Sequence, residues 1–269
     1  MISPNAPAPD RPTARYILLL LLIGLIGGTF SGALGVGGGI VMVPLMLGLL
    51  GFDQRRAAAT SLAAIVLSSM SGAATYYVAG HTDVVAGILL GAGGVVGSLI
   101  GTRLLKVLPI VTLRWGFIAL LVVIAVRMLF VVPDRGEGLE LTLPIVIGLV
   151  ASGLVMGILA GMFGIGGGVL IVPILVALFG ASDLVAKGTS LLAMIPVSIA
   201  GSIANIRYRL LRPLDGAVIG SAALVASFGG AQIAFILPPW LSSLIFGAFV
   251  LVTAIQLTIR ALRQRRSGA

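Results

Sequence analysis

The sequence contains no cysteine, a single histidine and few charged residues. The absence of cysteine excludes disulfides and cysteine-ligated metals, and His81 cannot form a histidine-based metal site by itself. Charged residues make up 9% of the chain, against about 25% in a typical soluble domain. With 59% apolar residues and a mean hydropathy of +1.20, the composition predicts an integral membrane protein.

Glycine is abundant, and part of it lies in a repeated stretch. The sequence GGTFSGALGVGGGIVMVPLM at 27–46 recurs 129 residues later as MGILAGMFGIGGGVLIVPIL at 156–175. Each copy places a glycine cluster inside an apolar run, and we call residues 35–39 the first Gly break and residues 164–168 the second. A break in a helix at membrane depth persists only where protein buries it or where it lines a cavity. Paired breaks in two halves are typical of a transporter binding site.

The apolar segments predict an all-α polytopic membrane protein built from two repeats. Residues 1–15 are polar and proline-rich, which predicts a disordered cytoplasmic tail. We assign the first repeat to residues 16–132 and the second to 141–259, with a hydrophilic linker at 133–140 and a basic tail at 260–269. Each repeat is predicted to contain a broken helical hairpin followed by three transmembrane helices.

The elements of each repeat can be placed approximately. In the first repeat we expect the hairpin at 16–34 and 40–50 and the helices at 57–80, 84–105 and 110–132. In the second we expect the hairpin within 141–180 and the helices at 184–206, 214–237 and 240–259. The arm at 40–50 would be about 16 Å long, roughly half of a hydrocarbon core of about 30 Å. This length favours a re-entrant arm, but the sequence leaves open whether the arms re-enter or span.

Lysine and arginine fall unevenly on the two sides of this predicted topology. One side holds fourteen of them, namely Arg11, Arg15, Arg55, Arg56, Arg103, Lys106, Arg114, Arg207, Arg209, Arg212, Arg260, Arg263, Arg265 and Arg266. The other side holds Arg127, Arg135 and Lys187. The positive-inside rule therefore predicts cytoplasmic termini and an external linker at 133–140. Because each repeat then crosses the membrane an odd number of times, the second is expected to be inverted relative to the first.

Both Gly breaks are followed by a short helix, and this arrangement favours an anion. The first turn of a helix leaves N–H groups without partners and carries roughly half a positive charge. Glycine lets a ligand approach the backbone closely, and Thr-Ser pairs that match at the same offset add hydroxyl donors. The predicted substrate-binding residues are Gly35, Gly37, Gly38, Gly39, Thr60, Ser61, Gly164, Gly166, Gly167, Gly168, Lys187, Thr189, Ser190 and Asn205. The alternative, that the glycines only permit close helix packing, remains open.

Two of these residues break the match between the repeats. Lys187 has Ala58 as its counterpart, and it could neutralise an anion or snorkel at a helix end. Asn205 has Tyr76 as its counterpart, and it could line the route or bond between helices. No acidic residue is expected deep in an apolar segment, which disfavours a carboxylate relay.

Further along the chain the repeat spacing is expected to slip by a few residues. Asp83 would then correspond to Asp215, and Gly97 to Gly229. His81 and Asp83 are expected in an outer loop, where a solvated His81 is favoured over a proton-coupling role.

The two Gly-rich copies, with the Thr-Ser pairs behind them, resemble the TauE/SafE family of sulfite-exporter-like membrane permeases, also called the toluene sulfonate uptake permease family. The resemblance covers nearly the whole chain and rests on the pattern G-x-G-G-G-x-x-x-x-P in both halves. It implies transport of small sulfur-containing anions, such as sulfite, sulfonates or sulfoacetate, across a bacterial inner membrane. It does not identify the anion, the direction of transport or the coupling ion.

The expected function is therefore a secondary anion transporter that uses alternating access, with a passive anion channel or a permease for another small anion as alternatives. An enzyme is not expected, because the H-E-x-x-H and G-x-S-x-G patterns are missing, and so is a Walker A pattern. We predict no catalytic residue, no metal and no cofactor. The expected partners are a small anion and the lipid bilayer, and homo-oligomerisation is left open. The net charge of +9 is attributed to the cytoplasmic rim rather than to nucleic-acid binding.

Overall fold

The computed structural model describes residues 13–130 and 142–266, and within these ranges it contains ten α-helices and no strand. In chain order the helices are α1 (Ala14–Leu34), α2 (Gly39–Leu49), α3 (Gln54–Val78), α4 (Val84–Val107), α5 (Ile110–Phe130), α6 (Leu143–Phe163), α7 (Gly168–Phe179), α8 (Asp183–Arg207), α9 (Pro213–Ile236) and α10 (Pro239–Arg266). Six of these, α1, α3, α4, α6, α8 and α9, are long and apolar enough to cross a membrane. The prediction of an all-helical, multi-pass membrane protein is confirmed.

Each predicted hairpin is present as one long helix and one short helix. α1 and α6 have 21 residues each, which corresponds to about 31 Å and is enough to cross the hydrocarbon core. α2 and α7 have 11 and 12 residues, or about 16–18 Å. The first arm of each hairpin is thus long enough to span, and the second covers about half of that distance.

The other predicted helices are present, with boundaries that differ from the expected ones by a few residues. α10 differs most, because it continues through the basic segment to Arg266. α5 and α10 are not among the six helices that meet the criteria for a membrane span over the described residues, so their spanning remains a prediction. The linker at 133–140 and most of the tail at 1–15 lie outside the described residues.

Glycines allow the long helices to pack backbone against backbone. Three contacts join α1 to α9: Gly24 meets Ile219, Gly28 meets Ala223 and Gly32 meets Ser227. Three contacts join α6 to α4: Gly153 meets Leu90, Gly157 meets Gly94 and Gly161 meets Ser98. Because the positions rise together along both helices, each pair is parallel. A side chain at any of these glycines would collide with the neighbouring backbone, which is the usual role of small residues between membrane helices.

The same contacts show how the two halves correspond. Each α1–α9 contact recurs between α6 and α4 at an offset of 129 residues, and Gly230 and Gly101 extend this match along α9 and α4. The predicted slip is therefore wrong: Gly97 packs against α6, whereas a Cβ added at Gly229 would meet no described atom within 4 Å. Likewise Asp83 occupies the N-cap of α4, and the residue at the N-cap of α9 is Arg212 rather than Asp215.

α3 and α8 pack antiparallel in the middle of the bundle. Leu62 lies against Gly201 towards one end, and Tyr76 lies against Gly188 towards the other. α1, α3 and α9 begin together at the end that carries Arg56, which we call the Arg56 end. α4, α6 and α8 begin at the opposite end, which we call the Lys187 end.

The Arg56 end is held by an ion pair that joins three helix starts. Arg56 Nη2 donates to Asp215 Oδ2 at 2.8 Å and to the hydroxyl of Tyr16 at 3.4 Å. The guanidinium group also lies over the ring of Phe52, 3.9 Å from its centroid. These contacts fix the starts of α1, α3 and α9 at the same level.

Candidate functional site

Each Gly break is a short turn with a left-handed backbone. In the first break Gly35, Gly37 and Gly38 have φ of 69°, 79° and 72°. The equivalent glycines of the second break, 164, 166 and 167, have φ of 70°, 78° and 82°. Residues with a side chain rarely adopt such values, so the backbone path itself requires glycine here. The turn brings Gly38 back against the carbonyl of Gly27, so that α2 begins partway along α1 rather than at its tip.

The two breaks contact each other in the buried centre of the bundle. Gly39, the first residue of α2, lies against the carbonyl of Gly164. Gly168, the first residue of α7, lies against the carbonyl of Gly35. The starts of the two short helices therefore meet in one region to which both halves contribute backbone.

Two serines bond these breaks across the halves. Ser61 of α3 donates from Oγ to the carbonyl of Gly164, and Ser190 of α8 donates from Oγ to the carbonyl of Gly35, both at 2.8 Å. All four residues are buried. Both hydroxyl protons are thus directed at carbonyl oxygens in this structure. The prediction that these hydroxyls donate to an anion remains a prediction, and it requires each hydroxyl to turn away from its carbonyl.

The helix starts at the breaks have no side-chain cap. The N-cap residues of α2 and α7 are Gly38 and Gly167, which can supply none. The first N–H groups of a helix have no intrahelical acceptor, and the helix dipole makes this end positive. Both starts therefore offer a partial positive charge at the contact between the halves, where a carbonyl of the opposite break lies beside each of them.

The middle glycines and two apolar side chains complete the centre. Gly37 and Gly166 both lie against Ile65 of α3 and Met194 of α8. Ile65 and Met194 are fully buried, and they correspond at the 129-residue offset. The sequence analysis did not single them out, because an apolar residue in an apolar helix gives no signal of its own. The contact region between the breaks is therefore formed by apolar side chains and by polar backbone groups.

Three other predicted residues, Thr60, Thr189 and Asn205, make no side-chain hydrogen bond to the breaks among the described residues. Thr189 accepts a hydrogen bond at its Oγ1 from the backbone N–H of Asp83 at 2.9 Å, which ties α8 to the start of α4. Thr60, its equivalent, is fully buried and its Oγ1 has no partner among the described residues. Asn205, near the Arg56 end of α8, is fully buried, and neither of its side-chain polar atoms has such a partner.

Lys187 lies beside the first break and is paired. Its backbone packs on Gly35, and its Nζ donates to Asp183 Oδ2 at 2.7 Å. Asp183 was missed by the sequence analysis, although its position four residues before Lys187 on one helix was a usable signal, since such residues are neighbours on a helix face. The snorkelling alternative does not describe this lysine, because its side chain is only 4% exposed.

Comparisons with known proteins agree with a membrane transport role. The sequence profile of the family described as "Sulfite exporter TauE/SafE" matches residues 1–128 and 149–269. The chain is 29% identical over 192 residues to the probable membrane transporter protein YdhB of Bacillus subtilis (strain 168), covering 70% of this chain and 78% of that protein. It is 27% identical over 258 residues to a probable membrane transporter protein of Xylella fastidiosa (strain Temecula1 / ATCC 700964), covering 93% and 97%. No solved structure matches the chain.

Over the described residues, ten helices, six of them long and apolar enough to cross a membrane, define a multi-pass helical membrane protein, and the relatives above are named as probable membrane transporter proteins. With a profile match over nearly its whole length, the chain belongs to the sulfite exporter TauE/SafE family. The family is one of membrane transporters rather than a class of enzymes, and the resemblance identified from the repeated Gly-rich pattern is confirmed.

Proposed function

We propose that this protein is a secondary transporter that moves small sulfur-containing anions, such as sulfite, a sulfonate or sulfoacetate, by alternating access. One observation carries the proposal: each Gly break accepts a hydrogen bond from a serine of the other half, Ser61 to Gly164 and Ser190 to Gly35. A centre that both halves build changes shape when one half moves against the other. This coupling is what alternating access requires.

The directions of the helices support two inverted repeats. The first helix of one half, α1, begins at the Arg56 end, whereas the first helix of the other, α6, begins at the Lys187 end. The same opposition holds for α3 and α8 and for α9 and α4. Equivalent elements therefore point in opposite directions while making equivalent contacts at the 129-residue offset, which is the arrangement expected of inverted-topology repeats.

An anion is the ligand class that the centre suits best. The starts of α2 and α7 bring positive helix ends into a buried region where an anion would replace the neighbouring carbonyls as acceptor. We propose that the glycines of both breaks contact the anion directly. The choice of sulfur-containing anions follows the family description, sulfite exporter.

We further propose that both termini face the cytoplasm of a bacterium and that the protein lies in its inner membrane. Nine of the cationic side chains that the structure describes lie at the Arg56 end, including those of Arg55, Arg103, Lys106 and Arg212. Lys187 is at the opposite end. Because lysine and arginine are enriched on the cytoplasmic side, the Arg56 end is assigned to the cytoplasm.

Transport by the purified protein in liposomes tests this proposal. We expect saturable uptake of radiolabelled sulfite or sulfoacetate that is accelerated by unlabelled anion on the opposite side. Such counterflow distinguishes a transporter from a passive channel, which would show uptake without it. As a matched pair, Gly39→Ala should abolish uptake, whereas Gly48→Ala in the same short helix, where the added Cβ would meet no described atom within 4 Å, should preserve it. If no sulfur-containing anion enters these liposomes faster than it enters empty liposomes, the proposed substrate class is contradicted.

A further inference from the structure

A buried ion pair is present at the Lys187 end in one half only. Lys187 and Asp183 are 3% and 8% exposed, and their side chains meet at 2.7 Å. The residues 129 positions earlier, at the same place in the first half, are Ala58 and Gln54. Since the first half adopts the same helix packing without these charges, the fold does not require the pair. Because the ion pair occurs in one half and at one end only, it is suited to a function that is specific to the Lys187 end.

A cavity of about 240 Å³ opens onto this ion pair. Its lining includes His81, Ser182, Asp183, Phe235 and Leu237, and Lys187 is not among the described residues that line it. Asp183 is therefore in contact both with the cavity and with the ammonium group of Lys187. The volume is below the roughly 300–1,000 Å³ of pockets for drug-sized ligands. A water occupies about 30 Å³ in the liquid, so the cavity has room for a small anion with a few waters.

Lys187 also contacts the first Gly break. A Cβ added to Gly35 would lie 2.6 Å from the Cα of Lys187, so the two backbones are in direct contact. One turn further along α8, Ser190 bonds the carbonyl of the same Gly35. Lys187 thus contacts the break that contributes to the centre and, through its ion pair with Asp183, is linked to the cavity.

We propose that this cavity is the entry site for a small oxyanion at the Lys187 end, and that Asp183 is a tethered counter-ion that the entering anion displaces from Lys187. The identity of the anion rests on the proposed function. A buried ammonium group strongly favours a negative partner, so Lys187 exchanges Asp183 for another negative group. Displaced from the lysine, the Asp183 side chain turns towards the cavity, where water can solvate it. A neutral or cationic solute cannot make this exchange, and the pair therefore selects for anions before they reach the centre.

The first test measures sulfite binding to the detergent-purified protein by thermal shift. Asp183→Asn should lower the dissociation constant for sulfite by at least about tenfold, because the anion no longer competes with a tethered carboxylate. The double variant Asp183→Asn with Lys187→Met should lose this gain. Asp215→Asn, which removes the carboxylate of the partly buried ion pair at the Arg56 end, is the control and should leave sulfite affinity unchanged. Equal affinities for wild type, Asp183→Asn and Asp215→Asn would overturn the proposal.

A second test leaves the ion pair intact, in case Asp183→Asn does not fold. The chain has no cysteine, so Leu237→Cys introduces a single thiol in the cavity lining. Sulfoacetate, which does not react with thiol reagents, should slow maleimide labelling of Leu237→Cys. It should not affect labelling of Val78→Cys, which lies at the same end and is 86% exposed. Equal labelling rates with and without sulfoacetate, in a protein that transports this anion, would refute the entry site.

The outcomes separate this inference from the proposed function. Transport of sulfoacetate without protection of Leu237→Cys would refute the entry site and leave the function intact. The other outcome is a gain in sulfite affinity in Asp183→Asn that depends on Lys187, in a protein that transports no sulfur-containing anion. It would support the entry site and contradict the proposed function.

Discussion

The serine bonds between the halves allow a quantitative prediction. Ser61→Ala and Ser190→Ala each remove one hydrogen bond of 2.8 Å to a buried glycine carbonyl of the opposite half. Side-chain hydrogen bonds between membrane helices average about 0.6 kcal/mol and reach about 1.7 kcal/mol. A carbonyl at a helix end has no donor within its own helix that could replace the serine. Losing the serine hydrogen bond is therefore expected to lower the free energy of unfolding by an amount near the upper limit, about 1–2 kcal/mol. At about 2–4 °C per kcal/mol for a chain of this size, the melting temperature should fall by roughly 2–8 °C.

Ser198→Ala is the matched control for this prediction. Ser198 is also fully buried in α8, but its Oγ donates to carbonyls of its own helix, at 2.6 Å to Met194 and 3.2 Å to Ile195. Those carbonyls lie inside the helix and already accept backbone hydrogen bonds. Removing the serine hydroxyl is therefore expected to change the free energy of unfolding by no more than about 0.5 kcal/mol. Thermal unfolding of the three variants in one detergent makes the comparison. If Ser61→Ala and Ser190→Ala melt no lower than Ser198→Ala, the bonds between the halves do not hold the centre together.

Sulfite affinity measured on the same samples separates a role in the frame from a role in binding. A lower melting temperature with unchanged affinity assigns Ser61 and Ser190 to the frame of the centre. Unchanged melting with an affinity lowered about 10- to 150-fold, the range for a hydrogen bond to a charged group, assigns them to the ligand. The geometry favours the first result, because both hydroxyls point at carbonyls.

Three further predictions concern packing and topology. Gly230→Ala should lower the melting temperature, because the added Cβ would collide with the backbone of α1. Gly229→Ala should raise the melting temperature slightly, since that position is open and alanine is more favourable than glycine in a helix by about 1 kcal/mol. Similar melting temperatures for the two variants would contradict the assigned α1–α9 contact. Gly39→Ala should destabilise the protein and Gly48→Ala should not, because only Gly39 lies against the opposite break, and equal melting temperatures would argue against contact between the breaks. Gly136→Cys should react with an impermeant reagent in intact cells, and labelling only after permeabilisation would reverse the proposed topology.

Much of the fold was predictable because it depends on signals that are local in the sequence. A cluster such as 35–39 interrupts an apolar run, and the interruption predicts a break whatever its surroundings. The repeat then doubled each such signal, and the helix boundaries followed from apolar length and from turn residues.

The contacts of the site depend on pairs of residues that are far apart in sequence, and these were not predictable. The sequence identified Ser61 as a hydroxyl near a helix start, but its acceptor, the carbonyl of Gly164, lies 103 residues away in the other half. The predicted pairing of individual residues of α4 with those of α9 was wrong for a related reason. Gly97 and Gly229 are both glycines, but a match of residue types does not show which glycine faces a neighbouring helix, and Gly230 is the one that does.

The two halves differ at a pair of equivalent positions, 76 and 205. At the Lys187 end Tyr76 donates from its hydroxyl to the carbonyl of Gly32 at 2.9 Å, and its ring packs edge-on against Phe235. At the equivalent position near the Arg56 end, Asn205 is a smaller side chain with no hydrogen-bond partner among the described residues. Burying an amide without partners is unfavourable, and a protein retains such a group where a ligand, water or a second conformation satisfies it. The Lys187 end thus combines a bonded phenol with a paired lysine, and the Arg56 end keeps an unsatisfied amide. This difference between otherwise equivalent halves is why Asn205 remains a candidate for contact with the transported anion.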